Sequence, residues 1–286
     1  SAASDVYKRQ RTSSGTITST VYTEDPVPGN HVYLTIDIQL QEAVERILET
    51  GIYELQLKRD EDNAKYTMEG KLDEVREDIQ GGAIVVVGVK TGEPLAIASY
   101  PTFDLSSIIE DYSDLLEAEN DPLFNRALNG AYEPGSTFKA LVLAAALEEG
   151  VVSESDTFYC PGYYMVEGWP KPISCSKKAP GHGTQTLKVA TGNSCNPAFV
   201  TMGLKIGTEA YYRYLKSFGL METTGIDLPA EAEGIFANED SFNSNVVSLA
   251  AYSFGQTFNV TPLELIRAQA ATINGGYLYT PYLVEQ

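Results

Sequence analysis

Basic residues are scarce in this chain: 20 Lys and Arg stand against 39 Asp and Glu, a formal net charge of -19. Such a surface repels polyanions, so nucleic acid is not among the expected partners. Cysteine amounts to three residues, Cys160, Cys175 and Cys195, and histidine to two. No Cys-x-x-Cys pair occurs, so neither zinc nor any other metal or cofactor is expected, even with His182 nearby. Cys160 and Cys175 flank a Gly/Tyr/Pro-rich stretch able to fold back as a hairpin, which leaves a disulfide and two free thiols as open alternatives; Cys195 reads as a small buried residue. Also lacking is any run of about eighteen apolar residues, and with it a membrane-spanning helix. Ser1–Gln10 has neither an apolar signal-peptide core nor periodicity and is expected to lie outside the fold, as a non-native or fragment-edge segment. Residues 1–29 as a whole read as tail or linker, and no internal repeat is visible.

With 43% hydrophobic residues in 286, the remainder suffices for one large core or two modest ones. Val32–Asp37 reads as a short strand ending in a helix cap, because Ile38, Leu40, Ala43, Val44, Ile47 and Leu48 follow Asp37 at helical spacing. The acidic run of residues 58–78 reads as a solvated helix or loop. Residues 82–89 and 94–99, joined by Lys90-Thr91-Gly92-Glu93, predict a β-hairpin whose nearly all-apolar first arm should be covered. Residues 104–124 are polar and irregular, and 159–186 should form loops and hairpins. Helices are expected from Ser136 to Gly150, Ser194 to Ile206, Ala210 to Phe218 and Leu263 to Ile273, the last capped by Thr261 with Pro262 in its first turn.

The most informative stretch is Glu133-Pro134-Gly135-Ser136-Thr137-Phe138-Lys139 with the Ala/Leu run behind it. A Pro-Gly turn launches a helix too apolar to face water. Ser136 and Lys139, three apart, then share a helix face, which sets an amine beside a hydroxyl. For the amine to take the serine proton it must be neutral, and burial in the apolar helix is what would lower its pKa from about 10.4. The spacing alone carries little. Ser174-Cys175-Ser176-Lys177 matches it too, among Pro, Gly and Lys with no apolar helix behind. A second pair, Ser194-Cys195-Asn196, also opens a predicted helix, where a hydroxyl and an amide could relay a proton and hold a carbonyl. Ser and Asn there are equally ordinary caps; Ser241-Phe242-Asn243 repeats the spacing and is assigned no role.

Taken together, EPGSTFK (133–139) followed by NSCNPAF (193–199) resembles the penicillin-binding proteins, in particular the class B, monofunctional D,D-transpeptidases of cell division or sporulation. VYLTIDIQLQ (32–41), GAIVVVGVKTGEPLAIASYPTFD (82–104), NRALNGAYEPGSTFK (125–139), HGTQTL (182–187) and GQTFNVTPLEL (255–265) extend the resemblance over nearly all of residues 30–286. It implies a mixed α/β (α+β) fold of the penicillin-binding and β-lactamase type, an antiparallel sheet flanked by helices. It implies that Ser136 attacks the bond between the terminal D-alanines of a peptidoglycan stem peptide, that Lys139 takes its proton, that Ser194 passes a proton to the leaving amine, and that Asn196 orients Lys139 and the substrate amide. Peptidoglycan stem peptides, β-lactam antibiotics and a membrane glycan polymerase are the implied partners. The implied location is the outer face of the cell membrane, with an anchor outside this chain, a setting that permits the Cys160–Cys175 bridge. A β-lactamase or carboxypeptidase differs only in letting water resolve the ester; a β-lactam sensor or peptidoglycan-binding scaffold would keep the fold without turnover.

Two departures stand out. Lys-Thr-Gly occurs as Lys90-Thr91-Gly92, ahead of the nucleophile, where it reads as a solvent-facing turn; in the family this motif follows Ser-x-Asn, on a strand beside the cleft. The resemblance thus implies a transpeptidase domain truncated before that motif, with C-terminal strands missing, half of its oxyanion hole absent and little or no activity. One lost oxyanion donor costs about 100- to 1,000-fold. The second departure is Gln256-Thr257-Phe258, where the family has glycine after the glutamine.

Overall fold

A computed structural model describes residues 6–14, 16–24 and 29–285. The expectations for residues 1–5 lie outside the described residues. The chain divides into two units, Ser1–Leu34 with Val284–Gln286, and Thr35–Leu283. The smaller holds an antiparallel pair that the sequence did not suggest, β1 (Val6–Arg11) and β2 (Ile17–Glu24). Among its described residues, Leu34 also forms an antiparallel bridge with Val284. The predicted Val32–Asp37 strand is therefore reduced to one bridging residue.

The larger unit starts on α1 (Ile38–Met68), capped as expected by the Asp37 side chain, which accepts from the N–H groups of Gln39 and Leu40. The helix runs through the first half of the acidic segment, which settles that part of the segment as solvated helix. Its one fully buried residue, Val44, packs with Leu40 and Leu48 against Ala96 and Ala98 of the hairpin β3 (Gly82–Val87) and β4 (Pro94–Tyr100). These strands pair antiparallel, Gly82 against Tyr100 and Val87 against Pro94. The first arm is half-covered along its length rather than buried, because α1 contacts chiefly β4. Then come α2 (Ile108–Glu117), inside the stretch read as irregular, and α3 (Lys139–Glu148).

The Gly/Tyr/Pro-rich layer folds as two small pairs: β5 (Thr157–Cys160) with β8 (Gly183–Thr186), and β6 (Tyr163–Tyr164) with β7 (Ile173–Ser174). Helices follow as α4 (Leu187–Gly192), α5 (Asn196–Ile206), α6 (Thr208–Ser217), α7 (Glu239–Asn243), α8 (Val246–Tyr252) and α9 (Pro262–Ala271). Helices α4, α7 and α8 were not anticipated, being five to seven residues long, too short for a periodic signal. The main core gathers α3, α5, α6 and α8 around Leu141, Phe199, Met202, Leu215, Leu249 and Tyr252. Phe258 joins it through edge and tilted ring contacts to Phe138 and Tyr252 at 4.8 and 4.5 Å.

Helix α9 starts at the expected Thr261 cap, which the structure completes into a capping box with Glu264. The Glu264 carboxylate, fully buried, accepts from Thr261 N at 2.7 Å and from Gly234 N at 2.9 Å. Burial pushes its pKa up to about 7, against those N–H bonds, which favour the charged form. The native state thus keeps a proton that the unfolded chain releases above about 4.5, and this group's contribution to stability falls as pH rises from there to about 7. Glu264→Gln leaves one of the two N–H groups without an acceptor. Denaturant titration should show a loss of about 1–3 kcal/mol and a flatter pH dependence across that window.

Candidate active site

Ser136 lies on a single 3-10 turn, Gly135–Phe138, not on the regular helix that the spacing predicts; the α-helix begins at Lys139. Phe138 is buried and roots the turn in the core, leaving Ser136 exposed. The turn is braced from its far side. Gly135 N donates to Gly255 O at 2.8 Å, Thr257 N donates to the Glu133 carboxylate at 2.7 Å, and Gln269 Nε2 of α9 donates to Thr137 O at 2.9 Å. These braces come from residues more than a hundred positions downstream, which sequence spacing cannot reveal. Thr257 takes a left-handed conformation, φ 70°. The departure from the family pattern thus falls where glycine would fit without strain.

Ser194 occupies the sharp junction between α4 and α5, at φ 49°, in the left-handed region. It is not the cap that its position suggested: α5 starts at Asn196, with Cys195 in the cap position and no side-chain capping bond. Pro197 in the first turn favours the helix start just there. The kink and the helix start aim Ser194 and Asn196 back at α3, which packs beside α5.

All four predicted site residues come together around one nitrogen. Lys139 Nζ stands 3.2 Å from Ser136 Oγ, 2.9 Å from Ser194 Oγ, 2.8 Å from Ser194 O and 2.6 Å from Asn196 Oδ1. Asn196 Nδ2 in turn donates to Ser174 O at 2.9 Å, which fixes the amide with its oxygen toward the lysine. Lys139 is 4% exposed. Burial lowers its pKa to about 8, with the Cys175 and Cys195 thiols, when ionised, acting the other way. Ser194 O and Asn196 Oδ1 are carbonyl oxygens, able only to accept. A neutral lysine would give its two N–H groups to them and turn its lone pair toward the two hydroxyls. The arrangement suits a serine nucleophile, a lysine base and a second serine able to carry the proton onward.

The penicillin binding protein transpeptidase domain family matches residues 82–286. The chain belongs to that family. It is 37% identical over 265 residues to stage V sporulation protein D of Bacillus subtilis, and 30% identical over 277 residues to the peptidoglycan D,D-transpeptidase MrdA of Acinetobacter baumannii. Those matches cover 91% and 92% of this chain but 35% and 36% of the relatives, so the chain spans about a third of their length. Among solved structures, Pseudomonas aeruginosa PBP2 is similar with a TM-score of 0.74 at 26% identity, covering 91% of this chain and 55% of that one. Helicobacter pylori PBP2 gives 0.72 at 26% identity, covering 98% and 49%. The mixed α/β architecture is thus that of the penicillin-binding transpeptidases.

The alternative matches lie apart from the Lys139 amine, although Ser174 lends its backbone carbonyl to Asn196. Ser174 ends β7 and Lys177 is exposed beyond it, off any helix, while Ser241 and Asn243 lie on α7. Lys90 is exposed on the β3–β4 turn, where Gly88 N donates to Glu93 O and Thr91 Oγ1 to the Glu93 carboxylate. In the full-length gene product, Lys90→Ala should leave the rate of β-lactam acylation within about twofold of the parent, since an exposed turn residue of this kind contributes little.

The cysteines resolve the alternatives left open by the sequence. All three are free and buried, so the Cys160–Cys175 bridge is not formed and the two-free-thiol alternative holds. Their sulfurs and a ring nitrogen of His182 all lie within 4.8 Å of one another. Spacing along the chain does not announce this cluster, because its four members come from the ends of β5 and β7, the approach to β8 and the start of α5.

Proposed function

We propose that this chain carries the catalytic serine of a peptidoglycan D,D-transpeptidase, and the observation that supports this best is the buried Lys139 amine held 3.2 Å from Ser136 Oγ by Ser194 and Asn196. Ser136 Oγ attacks the carbonyl between the two terminal D-alanines of a stem peptide. Its proton passes to Lys139 Nζ as the new C–O bond forms; Ser194 then gives its own proton to the amine nitrogen as the C–N bond breaks and D-alanine leaves, and takes the proton from Lys139 in exchange, 2.9 Å away. The amine of a second stem peptide then attacks the ester carbonyl; as the new amide bond forms, the amine's proton passes through Lys139 to Ser136 Oγ, whose bond to the acyl carbon breaks, completing the crosslink. Asn196 keeps Lys139 aimed throughout. β-Lactams acylate the same serine. The protein works on the outer face of the cell membrane, together with a membrane glycan polymerase; the similarity to a peptidoglycan synthase complex and to a PBP2 solved with MreC supports a partnership of that kind.

The test is to incubate the full-length gene product with a synthetic stem pentapeptide ending in D-Ala-D-Ala and an acceptor amine. Release of D-alanine with a crosslinked product is expected. Release with water as the only acceptor would make it a carboxypeptidase, and β-lactam binding without turnover of the peptide would make it a sensor.

A further inference from the structure

We propose that α2 is a docking face for a basic amphipathic helix of another protein. At about 100° per residue, the large apolar side chains of α2 fall on one arc roughly 120° wide, in the order Leu115, Ile108, Tyr112, Leu116, Ile109. Only one edge of that arc meets the rest of the protein, where Ile108 and Leu115 are half-buried. The remainder faces solvent: Tyr112 is 51% exposed, Leu116 60% and Ile109 86%. Leu105, four positions ahead of Ile109, is 79% exposed.

No residue of α2 is buried, and α2 packs closely against no other helix or strand of the described residues. A helix of ten residues is too short to persist on propensity alone, and such helices draw their stability from packing an apolar face. Here most of that face is uncovered. Ile109, Tyr112 and Leu116 line up along the axis as the kind of ridge that a second helix takes into its grooves.

The flanks decide the kind of neighbour. Beyond Ile109 the surface of α2 turns through Ser113 to Glu117, Glu110 and Asp114, and Asp111 borders the opposite edge; all four acids are exposed. No Lys, Arg or His occurs from residue 91 to residue 125. A helix whose apolar seam is edged with Lys or Arg therefore meets opposite charge along this rim. A second copy of the chain would set acid against acid, with a net charge of -19 on each partner. A bilayer is disfavoured as well, because helices that lie in a membrane interface carry Lys and Arg on their polar face, and anionic lipids repel this one. The ridge is small, below the roughly 1,200 Å² of a standard interface, so the association is weak and transient.

The experiment replaces Ile109 of the full-length gene product with the photocrosslinker p-benzoylphenylalanine in the cells that make the protein, and sequences the cross-linked peptide by mass spectrometry. The expected adduct lies on one other protein, in a segment with apolar residues at helical spacing and a surplus of Lys and Arg. The same crosslinker at Glu54, exposed on α1, should not give it. A synthetic peptide of that segment should bind the purified parent with a Kd on the order of 1–100 μM. Binding should weaken at least about tenfold in the double variant Ile109→Ala with Leu116→Ala, and also as salt is raised. The double variant should melt within about 2 °C of the parent, since both side chains are exposed. An adduct to a second copy, to another part of the same chain or to lipid would overturn the proposal. So would a segment without the basic surplus, equal binding by parent and double variant, or no adduct at all.

Discussion

Replacing Lys139 by methionine slows β-lactam acylation of Ser136 by about 100- to 10,000-fold, the range expected when a general base is removed. Methionine keeps most of the unbranched stem that brings Nζ to 5.4 Å from the Phe199 ring centroid, so the loss isolates the amine. Arginine does no better, because a guanidinium stays protonated and cannot accept the serine proton. The parent protein should show the signature of a lysine whose pKa burial has lowered to about 8. Only neutral Lys139 accepts a proton, so the acylation rate rises roughly fivefold from pH 7 to pH 8 and levels off above. Stability carries the matching sign. An unfolded lysine binds its proton up to about pH 10.4, more tightly than the native one, so the cost of burying this ammonium is present at neutral pH and fades as pH climbs from about 8. Lys139→Met is accordingly more stable than the parent at pH 7 while nearly inert, a trade expected where function requires a buried charge. Urea titrations beside stopped-flow acylation at several pH values check both halves.

The second large effect is Gly255→Ala. Gly255 accepts from Gly135 N and sits so close to the nucleophile turn that a Cβ would stand 1.9 Å from Gly135 O, with φ at 82°. Neither party is a flexible side chain, so the turn bearing Ser136 must move or the 255–258 loop must. The expected cost is at least about 3 kcal/mol, in the range reserved for strained or overpacked sites, and a fall in melting temperature of roughly 6–12 °C. Acylation should fall by at least about 100-fold, since a displacement of an ångström at the nucleophile suffices for that. Gly150→Ala separates the two causes. Gly150 is also left-handed, at 65°, but open space surrounds it, so it should cost only about 1–2 kcal/mol and leave acylation unchanged.

The residues of the site were legible in the sequence because each carries a local signal. Pro134-Gly135 marks the turn, the Ala/Leu run marks the burial that lowers the lysine pKa, and Pro197 marks a helix start behind Ser194. The β3–β4 hairpin, α3, α5, α6 and α9 announce themselves through periodicity and caps in the same way. Less legible was whatever depends on distant backbone. Nothing near Ser194 shows that it adopts a left-handed kink rather than a cap, since Ser and Asn favour both. The Val32–Asp37 strand shrinks to the Leu34–Val284 bridge, since β-branched residues alone do not fix how far a partner segment runs beside them. Glu133, Gly255 and Gln269 brace the nucleophile through contacts spanning 120 or more positions. The clustering of the three cysteines with His182 was out of reach for a related reason: spacing rules detect groups carried on one turn, and here four separate element ends bring one side chain each.

The central claim is that Ser136, activated by Lys139, is the residue that becomes acylated. Treating the full-length gene product with a β-lactam, digesting it and locating the mass adduct by tandem spectrometry tests this most directly. The account predicts a stable adduct on the peptide containing Ser136, absent in Ser136→Ala and nearly absent in Lys139→Met. An adduct on Ser194 or Cys175, or one of undiminished yield in Ser136→Ala, would contradict it.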